Sequence, residues 1–229
     1  KNKENLFTTG YGRWDFIKKY NNSTQKEEIK TNLKMKYNLS LQKQSVMYAP
    51  TWIHNKKLLK NEVMHPKNME FLKQLNKIAK RLQIEIIFRP HLNTVFSKKE
   101  IKFISSLESL KFMPQSISDN VEDFMILSDL LITDYSSISF DYIFLKRPVI
   151  FLNVSSSFNL GLFNEEKLRF GKIVDNESIE SFLKKYLSDS SSYFEECPQH
   201  NDTLNSLDDD LNSMASDKYY KRIKDLMKK

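Results

Sequence analysis

Cysteine is almost missing from this chain. Cys197 stands alone among 229 residues, so no internal disulfide can form and nothing asks for an oxidising compartment. A silent thiol is the expected role for it. Glycine is scarce as well, at four residues, and neither a Gly-x-Gly-x-x-Gly nor a Walker pattern occurs. Any phosphate binding must therefore rest on hydroxyls, helix ends and cationic side chains. No apolar run approaches the ~20 residues of a spanning helix, and no secretory segment opens the chain. Cys and His never fall at zinc-ligand spacing, and no Ser-His-Asp order stands out, so no metal and no cofactor are expected. Asp208-Asp209-Asp210 lies in a polar stretch without a His or a second acidic cluster, which reads as a solvated loop. Basic residues are not interleaved with aromatics in a stacking array, which argues against a nucleic-acid partner. The start at Lys1-Asn2-Lys3-Glu4, without Met, reads as a cut within a longer protein.

What is present suits a folded domain. Hydrophobic residues make up 40% and aromatics 12%, enough for a sizeable core. Charge is uneven: residues 1–110 carry a net +13 and residues 111–229 a net −6. A basic half suits anionic substrates or an anionic membrane surface, although Lys spread along helical stretches is usually a solvated face.

Short apolar runs alternate with amphipathic stretches. Strands are expected at Ser45–Ala49, Ile84–Phe88, Leu110–Met113, Leu130–Ile132, Pro148–Leu152 and Lys172–Val174. Helices are expected at Thr24–Tyr37, Lys67–Gln83, Lys98–Ser105, Val121–Ser128, Ser137–Leu145, Ser178–Leu187 and Ser216–Met227. Continuous apolar strands between helices predict an α/β fold, a Rossmann-like parallel sheet with helices on both faces. Residues 1–22 read as an extended opening segment, 23–190 as the α/β domain, and 191–229 as a polar loop and C-terminal helix. Ser188–Ser192 and Asn201–Ser213 read as polar loops.

Three polar clusters each follow a strand: Ala49-Pro50-Thr51-Trp52, Arg89-Pro90-His91 and Thr133-Asp134-Tyr135-Ser136-Ser137. Ligands of open α/β sheets bind at the carboxyl ends of strands. Ser136 and Ser137 sit where they could cap a helix and donate to a phosphate. Thr133 belongs to the same turn, and Thr51 is a further candidate phosphate ligand. Arg89 offers a planar fork to phosphate, and His91 a proton near neutral pH. Asp134 and Asp141 are about two helical turns apart, and structural roles suit both better than a metal site. Trp52 is expected to pack.

These residues also carry a resemblance. Met47 to Trp52, Phe88-Arg89-Pro90-His91 and Asp129 to Phe151 are similar to the CDP-glycerol glycerophosphotransferase family, the teichoic-acid polymerases and related capsule enzymes. Gly10-Tyr11-Gly12-Arg13-Trp14-Asp15 resembles that family's Gly-x-Pro-Arg-Asn-Asp segment, with Gly12 and Trp14 departing. Leu92 stands where the family has Pro, Ile53 where it has Arg, and Arg169-Phe170-Gly171-Lys172 where it has a Pro-Gly-Pro-like segment. The resemblance implies the carboxyl-terminal half of a GT-B type enzyme, with residues 23–190 as its nucleotide-donor-binding domain. It implies transfer of a polyol phosphate from a CDP-linked donor to a growing surface polymer or lipid-linked acceptor, with release of CMP. His91 would be catalytic, and Thr51, Arg89, Thr133, Asp134, Ser136 and Ser137 would bind the donor. Its place would be the inner face of the cell membrane. A GT-B glycosyltransferase using a nucleotide-sugar, or a non-catalytic nucleotide-binding domain, are the alternatives.

Overall fold

The computed structural model describes residues 7, 9–52, 63–156, 168–207 and 213–228. Six parallel strands form one sheet in the order β3-β2-β1-β4-β5-β6. They are β1 Ser45–Tyr48, β2 Glu85–Phe88, β3 Leu110–Phe112, β4 Leu130–Thr133, β5 Val149–Leu152 and β6 Lys172–Val174. The helices, in chain order, are α1 Trp14–Asn22, α2 Lys26–Lys36, α3 Met69–Leu82, α4 Lys98–Ser105, α5 Val121–Leu127, α6 Ile138–Tyr142, α7 Ile179–Ser188, α8 Ser190–Glu196, α9 Gln199–Leu207 and α10 Ala215–Met227. A 3-10 turn, Ile143–Leu145, prolongs α6.

The four central strands are buried along their whole length, as their continuous apolar runs require. Their side chains alternate between two cores. Val46, Tyr48, Ile86, Phe88, Leu130, Ile132, Ile150 and Leu152 meet α3, α4 and α7 on one face. Met47, Ile87, Leu131, Val149 and Phe151 meet α1, α5, α6 and α9 on the other. Helix ends are fixed locally. Asn68 caps α3 through Glu70 N and Phe71 N, Ser97 and Glu100 form a reciprocal capping box on α4, and Gln83 closes α3 in the left-handed region at φ 56°.

Two expectations fail. The opening segment is not extended throughout, because Trp14, Ile17 and Tyr20 form a buried stripe and drive residues 14–22 into helix. Within the stretches expected as loops after residue 187, residues 190–192 and 201–207 are helical instead. Tyr193, Cys197, His200 and Leu204 recur at helical spacing and are all buried, so α8 and α9 form around them. Asp189 caps α8 by accepting from Ser191 N at 3.0 Å. Hydroxyl and amide composition hid that stripe from the sequence. Asp208-Asp209-Asp210 and Ile53 lie outside the described residues.

Candidate functional site

The chain reverses its order across the sheet between β1 and β4. From β1 it steps outward to β2 and β3, then returns past β1 to β4 and onward to β5 and β6. The crevice at such a switch point, beyond the carboxyl ends of the strands, is where open α/β sheets bind ligands. Registers bring Tyr48 level with Ile132 and with Phe88. All three polar clusters therefore emerge at one sheet edge, on adjacent strands.

Asp134 ties two of the clusters together. Its carboxylate accepts Thr51 N at 2.9 and 3.0 Å, Thr51 Oγ1 at 2.7 Å and Ser136 N at 3.1 Å. Burial pushes this carboxyl above the usual range, and the bonds from Thr51 and Ser136 pull the other way. Thr133 is fully buried, and its hydroxyl donates to Ala49 O at 2.7 Å. Thr51, Thr133 and Asp134 thus brace the two turns against each other across the switch point.

Ser136 and Ser137 differ from expectation. Neither hydroxyl caps α6; Asp134 Oδ1 already holds the Ser136 amide, and Ser139 Oγ donates to Ser136 O at 3.0 Å. The Asp134–Ser136 contact is an Asx turn that shapes the approach to α6, and among the described residues no side chain caps this helix. Ser136 is half-buried and Ser137 exposed, and both line a cavity of about 340 Å³. The same cavity is lined by Arg89, Pro90 and His91, and by Gln115 and Asp119 from the loop after β3.

Arg89 is buried at 8% exposure. Its Nη1 donates to Met113 O at 3.0 Å, and its guanidinium lies 5.3 Å from the centre of the Phe124 ring. Burial draws its pKa below the ordinary value, Asp119 opposes that, and a guanidinium stays charged under such shifts. One edge of the fork is anchored, and Arg89 also lines the cavity. His91 Nδ1 accepts Asn93 N at 3.2 Å, and its ring stacks on Trp52 with centroids 6.0 Å apart. Accepting at Nδ1 favours the tautomer that carries its proton on Nε2. Trp52 packs, as its type suggested.

The sequence reading missed part of the lining. Arg13 and Asp141 reach the same cavity. Asp141 is buried and accepts Trp14 Nε1 at 2.8 Å and Arg13 Nε at 2.9 Å. Burial pushes its carboxyl up, against those two partners. The Gly10-to-Asp15 motif was the available signal, but nothing local shows that it folds back onto α6. Gln115 and Asp119 gave no signal, since they sit in a loop without periodicity. Asp15 accepts Ala215 N at 2.7 Å and Ser216 N at 2.9 Å and so caps α10 from a distance. Arg147, from the Lys-Arg-Pro run, is structural: its Nη1 donates to Ile126 O at 2.8 Å and Ser128 O at 2.5 Å at the end of α5.

A larger cavity, about 860 Å³, lies toward β6 and is lined by Phe140, Arg169, Lys172, Glu196, Cys197 and others. Lys172 is paired there with Glu196 at 3.2 Å. None of the three clusters lines it, so size does not select it, and the switch-point cavity is the candidate site. Among the described residues no group of His, Cys, Asp and Glu is placed to hold a metal, and no helix is long and apolar enough to cross a membrane.

Fold and site together define an α/β domain of the Rossmann-like class with a polar rim at its switch point. The chain belongs to the CDP-glycerol:poly(glycerophosphate) glycerophosphotransferase family, a family of transferases, whose family model matches residues 1–224. It is 27% identical over 111 residues to the minor teichoic acid biosynthesis protein GgaB of Bacillus subtilis (strain 168), covering 46% of this chain and 11% of GgaB. Its fold matches the wall teichoic acid polymerase TagF with TM-score 0.70 and 24% identity, over 100% of this chain and 54% of TagF. It also matches the UDP co-structure of S. aureus MnaA with TM-score 0.54 and 15% identity, over 100% of this chain and 56% of MnaA. At such identities the structural likeness speaks for the fold. The chain spans about half the length of TagF and about a tenth of GgaB.

Proposed function

We propose that this chain binds the CDP-linked donor of a glycerophosphotransferase that extends a teichoic-acid-type polymer, and that CMP is released. The observation that carries this reading is the switch-point cavity, which gathers Arg89, His91, Ser136 and Ser137 in a chain of that family. An acceptor hydroxyl attacks the distal phosphorus of the donor, a P–O bond forms, and the bond to the CMP oxygen breaks. Such transfer depends on positioning and on stabilising charge.

In this reading Ser136 and Ser137 donate hydroxyls to the diphosphate, and Arg89 neutralises charge on the departing phosphate. His91, donating from Nε2, hydrogen-bonds the leaving oxygen and stabilises the charge that develops there. Thr51, Thr133 and Asp134 hold the two turns at the spacing the diphosphate needs. The acceptor is a polymer or lipid-linked chain, and the net +13 of residues 1–110 suits work at an anionic membrane surface on the cytoplasmic side. The chain acts as the donor half of a GT-B type enzyme, and the general base comes from outside it.

Calorimetric titration with CDP-glycerol, UDP and UDP-sugars tests the donor. CDP-glycerol binding that exceeds UDP binding is the expected result. Tighter binding of UDP or a UDP-sugar would replace this reading with a nucleotide-sugar glycosyltransferase.

A further inference from the structure

We infer that Arg13 is a second phosphate-binding guanidinium of the switch-point cavity, carried there by the opening segment and aimed by Asp141. This deepens the donor-site reading above and rests on it.

Arg13 touches the cavity from the side opposite in sequence to Arg89: one belongs to the segment before α1, the other follows β2. Its side chain remains 48% exposed, whereas that of Asp141 is 8% exposed. The pair is made through Nε, at 2.9 Å from Asp141 Oδ1. The same oxygen takes the Trp14 indole N–H at 2.8 Å, which fixes the carboxylate independently of Arg13. The guanidinium lies over the Tyr11 ring, with Cζ 5.0 Å from the ring centre. Among the described residues no hydrogen bond engages the two terminal amino groups. Held at Nε and on one face, the fork presents its Nη edge in a set orientation.

That arrangement is more than neutralisation of a buried carboxylate. A Lys would neutralise Asp141 equally well, but a planar fork held by Nε leaves two parallel N–H donors for a bidentate oxyanion. The partner chemistry is a phosphate group, either in the donor's diphosphate or in the phosphodiester of the growing polymer. Ser136, Ser137 and Arg89 line the same space and supply the other donors.

The test compares wild type with Arg13→Lys, Arg13→Ala and the double variant Arg13→Ala/Asp141→Asn. The double variant removes both charges of the ion pair, so a fold effect of the lone buried Asp141 charge is separated from binding. Each is titrated with CDP-glycerol, UDP, inorganic pyrophosphate and a short glycerol phosphate oligomer, with thermal melting as the fold control. If the phosphate is the donor's, the double variant melts like wild type and binds CDP-glycerol and pyrophosphate about 10–100-fold more weakly, with Arg13→Lys between the two. If only the oligomer weakens by that factor, the phosphate is the polymer's. Equal affinity of wild type and the folded double variant for every probe, or binding of none, overturns the role of Arg13. Wild type that ignores CDP-glycerol but binds UDP or pyrophosphate through Arg13 overturns the CDP reading and leaves Arg13 in place.

Discussion

Two histidines in this molecule sit in opposite kinds of surroundings. His91 lies half-buried at the rim of the switch-point cavity, stacked on Trp52. His200 is fully buried in α9, with its Nδ1 2.9 Å from Tyr193 Oη and its ring edge-on to Phe170, Tyr193 and Phe194. Burial draws His200 down to about 4, so it stays neutral in the folded protein near neutral pH. A strongly perturbed histidine can thus be unsuited to chemistry, because His200 is fully buried and no substrate atom can reach it. A shifted pKa marks a site only where a cavity adjoins the group.

Removing each ring should separate the two roles. In the active enzyme His91→Ala should lower turnover by about 10²–10⁴-fold with little change in melting temperature, measured by single-turnover kinetics beside circular dichroism. Near-normal turnover would take His91 out of the mechanism, and an unfolded variant would make it structural. His200→Ala should do the reverse. It empties a packed aromatic site and should cost about 2–4 kcal/mol of stability in denaturant titration, while the folded fraction keeps its donor affinity.

The next effect is on pH dependence. His65, buried and drawn down to about 4 by burial and then by Lys67, behaves as His200 does. In the unfolded chain both titrate near 6.5. Between these values the unfolded state binds more protons, so stability falls as pH drops from about 6.5 to about 4, by on the order of 2 kcal/mol per histidine. Asp134 and Asp141, pushed up by burial, act with the opposite sign. Their contribution is present below the unfolded carboxylate value and is lost as pH rises through their folded values. Comparing wild type with His200→Phe isolates one histidine: the variant should lose part of the acid slope, and an unchanged slope would refute the buried-neutral assignment. Smallest is Ser136→Ala. It removes one hydroxyl beside unchanged backbone amides and should cost about 1–2 kcal/mol, mainly in donor affinity by calorimetry.

Gly171 belongs on the packing side of the same comparison. A Cβ there would meet Val149 O at 2.2 Å and Tyr193 Oη at 2.9 Å, so the backbone before β6 approaches β5 only because the residue is glycine. Phe170 next to it is buried against Phe140 and Phe151, and Arg169 lies 4.7 Å from the centre of the Tyr135 ring. The departure at Arg169 to Lys172 thus brings a cation beside the turn that follows β4.

The sequence by itself determined the alternation of apolar runs and amphipathic stretches, and with it a parallel sheet covered on both faces. Strands such as Leu130–Thr133 and Val149–Leu152 were legible because burial on both sides demands apolar residues at every position. The three polar clusters were legible for the same reason, as abrupt ends of those runs. The tertiary structure decided what depends on contacts between distant residues. It set the 3-2-1-4-5-6 strand order that places the clusters on one edge, and it gave Asp134, Thr51 and Thr133 to bracing rather than to lining. It folded α8 and α9 around a stripe that polar neighbours disguised, and it carried Arg13 onto Asp141 across the chain. Local pattern records which faces a segment must bury; which segment covers them, and which polar atoms meet across the gap, is settled only when the layers pack.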